Sequence, residues 1–376
     1  MKIHYLCHYD DYNNNRNLLT IPSGVTKINY IKQALIDAGF KVVVVSAAET
    51  SSRCKKINKL DSVIVNDKET IIYPLTFGRN NYFLKCLSRF IITIQLLIYL
   101  LLKVKKNDKV LVYHSLSLIN LVKLYRCLGG KVYFEVEEIY GAVEKANDSR
   151  IQSEINYLQN SEGYILVNDV IRSKCGFNSL SASCYGIYKP EIVNKVTDTE
   201  KVHIVYAGVI GSKESDAFLA VEVAKFLDAK YVIHVLGYGS DLNICLLQQM
   251  IEDSNKLHEC RVIYEGCLLG KQYMEFLSKC QIGLCTRVLE DHFSDYTFPS
   301  KVCVYLANQL IPICTPIKCI KESKIKDAVY FSKDNFALSI ADVIKNVDLN
   351  KAKGYKCLLE QLNFEFIKNL QNIFKN

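Results

Sequence analysis

Lys301 closes the run Phe298, Pro299, Ser300, Lys301, in which a proline suited to the first turn of a helix is followed by a hydroxyl and a cation. Backbone amides at a helix start already favour anions, and a lysine there adds a point charge, so the run suits a phosphate group. Three glycines are expected at comparable strand-to-helix turns, where a missing side chain lets backbone amides approach a phosphate oxygen. They are Gly24 in Pro22-Ser23-Gly24-Val25-Thr26-Lys27, Gly208 after Tyr206-Ala207, and Gly239 in Leu236-Gly237-Tyr238-Gly239-Ser240. Lys213, just beyond Gly208, is placed to neutralise charge on a departing diphosphate. Each turn also has a plain reading, with Ser23 or Thr26 capping a helix and the other glycines making tight turns.

A second group is acidic. Glu135, Glu137 and Glu138 in FEVEEIYG follow a strand pattern, and three carboxylates at a strand end repel one another unless something cationic binds. A solvated helix start is the alternative. His114 ends the preceding strand pattern, LVYHS, where contact with a sugar and a capping or buried role are equally open. His4 and His8 lack a third ligand at useful spacing, so zinc is not expected. There is no D-x-D, which favours metal-independent stabilisation of a leaving group, although Asp291, His292 and Asp295 are able to attract a cation.

The elements that must position these residues follow from periodicity. Strands are expected at 2–7, 41–47, 69–73, 109–113, 131–136 and 163–167, with helices at 25–38, 81–104, 115–128 and 144–159 between them. A second series of strands, at 202–207, 231–236, 261–264, 281–285, 311–314 and 327–330, again alternates with helices. Alternation of this kind predicts parallel sheets covered by helices on both faces. A chain of 376 residues is long for one core, and the boundary is expected near 186–200. The predicted parts are 1–190, 200–348, and a helix over 349–376 that packs back across the junction. Open parallel sheets take ligands at the carboxyl ends of their strands, so the active site is expected in a cleft between the two domains.

The net charge of +8 favours anionic partners, yet no basic run is interleaved with aromatics and no Cys/His finger spacing occurs, so nucleic acid is not expected. The 15 cysteines lie mostly in apolar runs such as those of Cys7, Cys285 and Cys314, never as C-x-x-C, which fits free thiols in a reducing cytoplasm. The first residues enter a strand pattern directly and lack the features of a signal peptide. The apolar run from Phe90 to Leu102 is too short to span a bilayer, which needs ~20 apolar residues. Its basic flanks, Lys85, Arg89, Lys103, Lys105 and Lys106, leave two readings open: a core helix, or a helix lying on the anionic inner face of a membrane.

Taken in order, IPSGVTKINYIKQALIDAGFKVVVVS, YAGVIG, HVLGYGS, VIYEGCL, CQIGLCT and FPSKVCVYLANQLIPICT resemble the GT-B glycosyltransferases of the retaining family 4 type found in bacterial O-antigen and capsule clusters. The resemblance runs along nearly the whole chain. It implies two Rossmann-like, doubly wound parallel-sheet domains facing a central cleft, the first for the acceptor and the second for the donor. It implies transfer of a hexose, with retention, from a nucleotide-diphosphate sugar to a polyprenyl-diphosphate-linked oligosaccharide, with no cofactor and no metal, by a cytoplasmic protein peripheral to the inner membrane face.

It further implies that Gly24 lies by the donor phosphates and acceptor, that Lys213 sits near a phosphate-binding lysine, that Ser300 and Lys301 contact the diphosphate, and that Glu137 stands where relatives carry a histidine near the reacting sugar. Two glutamates usual in the family are replaced by Tyr296 and Val304, and the usual arginine by Val209. Two other functions remain open: a nucleotide-sugar 2-epimerase of the same fold, and a catalytically silent binding subunit of a membrane-associated transferase complex.

Overall fold

The computed structural model describes residues 1–12, 16–51, 56–78, 81–189, 195, 200–211, 216–287 and 295–375. The chain divides into two units, Met1–Val167 with Ile171–Cys184 and Phe364–Asn376, and Asn168–Val170 with Tyr185–Asn363.

The first unit runs β1 (Lys2–Cys7), α1 (Pro22–Asp37), β2 (Lys41–Ser46), β3 (Ile57–Asn58), β4 (Asp61–Ile64), β5 (Glu69–Tyr73), β6 (Thr76–Phe77), α2 (Tyr82–Lys103), β7 (Lys109–Tyr113), α3 (Ile119–Cys127), β8 (Tyr133–Val136), α4 (Tyr140–Val143), α5 (Asp148–Leu158), β9 (Tyr164–Leu166), α6 (Asp169–Lys174) and β10 (Ser181–Ser183). Eight strands form one sheet in the order β10-β9-β8-β7-β1-β2-β5-β4. All neighbours are parallel except β4, which pairs antiparallel with β5. β1 and β2 are buried at every residue but the first, as expected of strands covered on both faces. β4 is a mostly exposed edge. A small antiparallel pair, β3 and β6, stands apart.

The second unit runs β11 (Val202–Ile210), α7 (Asp216–Glu222), β12 (Tyr231–Gly239), α8 (Asp241–Leu257), β13 (Arg261–Gly266), α9 (Gly270–Leu277), β14 (Ile282–Cys285), α10 (Lys301–Ala307), β15 (Ile311–Cys314), α11 (Lys318–Lys321), β16 (Tyr330–Phe331), α12 (Ala337–Asn346) and α13 (Tyr355–Lys375). Its six strands are all parallel, in the order β13-β12-β11-β14-β15-β16. Both units are therefore α/β with doubly wound, parallel sheets, the class that the sequence predicts.

α13 begins in the second unit, where Tyr355 donates to the Ala328 carbonyl at 2.9 Å. Its last turns belong to the first, where Phe366 stacks on Tyr30, Phe374 meets Phe40 and Tyr133, and Gln371 donates to the Ala38 carbonyl.

Three expectations need correction. β11 and β12 do not stop before their glycines but run on, pairing Gly208 with Gly237 and Ile210 with Gly239 in register. Gly239 is thus a strand residue whose absent side chain makes room for the Ile210 carbonyl, and strand packing accounts for it. α1 begins at Pro22, so Gly24 already lies in its first turn; Ile21 is the N-cap and offers no capping side chain, while Thr26 donates back to the Pro22 carbonyl. The apolar run Phe90–Leu102 is part of α2, a 22-residue helix buried only along Ser88, Ile92, Leu96 and Leu100. It is no core helix. By length and composition alone it is long enough to cross a membrane.

Candidate functional site

Each unit carries its own cluster of chemically capable side chains. In the first, β8 delivers Glu135 and the turn after it Glu137. Glu135 is fully buried and accepts a hydrogen bond from the Tyr5 hydroxyl on β1. Burial, then the Glu137 charge, lifts the Glu135 carboxyl to about 8. Among the described residues no donor reaches Oε1 of Glu135 or Oε1 of Glu137, both of them buried. With its carboxyl lifted to about 8, Glu135 keeps a proton at neutral pH that it is able to donate toward Glu137.

The cation that three neighbouring carboxylates call for comes from the protein itself. Lys27, buried on α1, reaches Glu137 Oε2 at 3.0 Å and donates to the Cys184 carbonyl at 2.7 Å. Burial alone lowers an ammonium pKa, but the Cys184, Glu137 and Glu135 groups outweigh it, so Lys27 stays charged. The Glu137 side chain keeps 20% of its surface exposed while Glu135 keeps none, so Glu137 is the carboxylate able to meet a ligand. Burial and the charges of Glu137, Glu154 and Glu144 push Glu138 upward as well.

His114 is buried and does not face solvent. Its Nε2 lies 2.7 Å from Glu154 Oε1, and Glu154 also accepts the Tyr140 and Gly141 amides at 2.8 Å each, tying the start of α4 to the end of β7. Burial would raise the Glu154 pKa, yet the hydrogen bonds from His114 and the two amides bring it below the usual value. His114 therefore takes the buried one of its two sequence readings.

In the second unit, Lys301 opens α10 and Ser300, exposed, precedes it as N-cap without a side-chain cap. Pro299 lies just before the N-cap, two residues ahead of the first helical position, its carbonyl accepting the Val302 amide. The Lys301 ammonium lies 4.2 Å from the centre of the Tyr206 ring on β11. A Cβ on Gly208 would stand 2.8 Å from the Tyr206 hydroxyl and 2.9 Å from Lys301 Nζ, so this glycine is what lets the amine in. Burial alone would lower the Lys301 pKa; Tyr206, Cys285 and Asp216 together raise it, so the amine is protonated at neutral pH. Arg287, two residues beyond β14, adds a second positive charge close enough to act on both Lys301 and Cys285. Asp216 is the acidic neighbour of this pair.

Lys27, Tyr5, Glu154, Tyr206 and Arg287 are the participants that motif reading passes over. Lys213, Asp291 and His292 lie outside the described residues. Asp295 is buried, its carbonyl accepting from Asn168. Among the described residues no group of three or more His, Cys, Asp or Glu side chains is placed to hold a metal ion. Val304, where a family glutamate is expected, packs with Leu268, Tyr273 and Phe276 against an apolar core.

No protein-family model matches the chain, and no curated protein sequence matches it either. Solved structures do. An E. coli trehalose-6-phosphate enzyme bound to UDP-2-fluoro glucose is 10% identical, with a TM-score of 0.64 over 100% of this chain and 98% of that one. HepE from Anabaena, solved with UDP, is 9% identical, with a TM-score of 0.63 over 99% and 98%. A trehalose-6-phosphate synthase studied for glycosyl transfer with retention is 9% identical, with a TM-score of 0.63 over 99% and 97%. At such identities the likeness establishes the fold, GT-B, and no more.

Proposed function

We propose that the chain is a glycosyltransferase of the retaining family 4 type, moving a hexose from a nucleotide-diphosphate sugar to a polyprenyl-diphosphate-linked oligosaccharide in O-antigen or capsule synthesis at the cytoplasmic membrane face. The observation that carries this reading is the half-buried, charged Lys301 beside Arg287 at the carboxyl ends of β11 and β14, where open parallel sheets take ligands. Fold neighbours bound to UDP and to a UDP-sugar analogue support a nucleotide donor.

In the reaction, the bond from the anomeric carbon to the diphosphate breaks and a bond to an acceptor hydroxyl forms on the same face. The hydroxyl proton leaves with the diphosphate, so no separate base is needed. Lys301, Arg287 and Lys213 stabilise the charge that develops on the leaving group, a task that requires no metal. Ser300 supplies a donor to the same phosphates; in the first unit, the amides of the first turn of α1, around Gly24, carry no side-chain cap and suit a phosphate in their own right. Glu137, held by Lys27, accepts a hydrogen bond from a sugar hydroxyl, while Glu135 and His114 hold the strand ends that position it.

Val304 favours one other reading, the silent binding subunit, because an apolar side chain cannot accept the ribose hydroxyls that a glutamate would. Titration calorimetry of the purified chain against UDP, GDP, dTDP and their sugars separates the two. The enzyme reading expects one nucleotide series to bind and its sugar to be consumed when acceptor is added; absence of binding by all of them overturns it.

A further inference from the structure

α2 is fastened to its unit along one stripe and bare along the other. Ser88, Ile92, Leu96 and Leu100 recur every fourth residue on the buried side. Gln95 brackets the Leu75 backbone, accepting from its amide at 2.9 Å and donating to its carbonyl at 3.0 Å, and the Tyr99 hydroxyl pairs with His4 at 2.7 Å. Phe90, Ile94, Ile98 and Leu101, at roughly 100° per residue, fall in a stripe ~80° wide centred roughly opposite the buried one. Phe90 is 63% exposed and Ile98 50%, and Phe83 and Leu102 extend the bare face toward the two ends. Leu124 on α3, which packs beside α2, and Leu128 just past its end are also exposed, one turn apart.

A bare apolar stripe of this length normally marks a surface that is covered in use. Its charges indicate by what. α2 contains no acidic residue, while Lys85 and Arg89 lie in its first turns and Lys103, Lys105 and Lys106 at and beyond its end. Arg89 is paired with Glu49 at 2.9 Å, while Lys103, Lys105 and Lys106 at the far end are exposed and make no ion pair among the described residues. Apolar side chains bounded by lysines match the acyl and headgroup layers of an anionic bilayer. The polar fastenings through Gln95 and Tyr99 would have to break for α2 to cross a membrane, so the geometry favours a helix lying along the surface.

We propose that the outer stripe of α2, Phe83 to Leu102, is a membrane-docking surface that inserts into the interface of an anionic bilayer, with Lys103, Lys105 and Lys106 on its headgroups. This inference stands apart from the donor chemistry and deepens only the lipid-linked nature of the acceptor. Because the test uses no nucleotide, its failure and that of the glycosyltransferase reading are distinguishable.

The test is co-sedimentation of the full chain with vesicles of phosphatidylglycerol and phosphatidylethanolamine, against phosphatidylcholine alone. The wild type is expected in the anionic pellet. The triple variant Phe90→Glu, Ile94→Glu, Ile98→Glu, with exposed or outward positions and an unchanged melting temperature, is expected to pellet at least about tenfold less. The variant Lys103→Gln, Lys105→Gln, Lys106→Gln is expected to lose the preference for anionic over neutral vesicles, and it decides the matter if the first variant does not fold. A wild type that stays in the supernatant, or variants that pellet as it does, overturn the proposal. So does a wild-type dimer in ultracentrifugation that the apolar-face variant turns into a monomer, since a second copy then covers the stripe.

Discussion

Lys301 places its ammonium 4.2 Å above the centre of the Tyr206 ring, and only a glycine at 208 leaves space for it there. The ring face attracts the cation by its quadrupole, and the Tyr206 hydroxyl takes one of its hydrogen-bond donors. With its pKa raised, the amine carries a constant charge across physiological pH. A fixed, incompletely neutralised cation at the end of a parallel sheet suits a ligand that brings negative charge.

Gly208→Ala tests that arrangement without touching a charged group. The new methyl would fall within 3 Å of both Lys301 Nζ and the Tyr206 hydroxyl and push the amine aside. Turnover is expected to fall at least about tenfold, with the melting temperature nearly unchanged because β11 is extended there. Steady-state kinetics and a thermal melt check it.

Glu135 makes folding pH-dependent. Its folded carboxyl titrates at about 8 against an ordinary value of 4.5, so across that window the folded chain keeps a proton that the unfolded chain has released. This contribution to stability is full below the lower value, falls as pH rises toward 8, and is level beyond. Glu135→Gln mimics the protonated form, with its amide donating toward Glu137. Urea unfolding at several pH values is expected to show a flatter profile for the variant, and greater stability than wild type above the window.

Lys27→Met leaves Glu137 without its cation and the Cys184 carbonyl without its donor. Breaking a largely buried pair on one side is expected to cost about 3 kcal/mol, and the double variant with Glu137→Gln to recover part of it. Denaturant unfolding of both variants measures the recovery. Neither is expected to turn over substrate at the wild-type rate.

Glu154 serves three donors, from His114, Tyr140 and Gly141, and Glu154→Gln keeps one acceptor oxygen but turns a donating amide nitrogen toward the others. The loss is expected to be about 2 kcal/mol, mostly from buried amides left unsatisfied. Chemical denaturation reads it directly, and faster hydrogen exchange at Tyr140 and Gly141 locates it.

The sequence made the alternating α/β elements legible because strands buried on both faces read as apolar runs such as KVVVVS, and amphipathic helices as periodic ones. It misled at the glycines. Gly208 and Gly239 look like strand stops, yet two adjacent parallel strands carry them in register, and a local reading cannot see a neighbour's carbonyl.

Lys27 had a visible signal: it falls on the apolar face of α1 with Ile28, Ile31 and Leu35, where a lysine needs a partner. Glu154 had none, since its partner His114 lies 40 residues earlier and the pairing depends on which face of α5 packs inward. The bare stripe of α2 was half legible, because composition showed the apolar run and its basic flanks but not which side the domain covers.

Lys301 is proposed to bind a nucleoside diphosphate, and paired calorimetric titrations of the wild type and Lys301→Met with the nucleotide that binds read that contact. A charge-assisted contact of this kind is worth about 1.5–3 kcal/mol, so the variant is expected to bind roughly tenfold to a hundredfold more weakly while keeping its fold. Equal affinity in the two proteins would contradict the account.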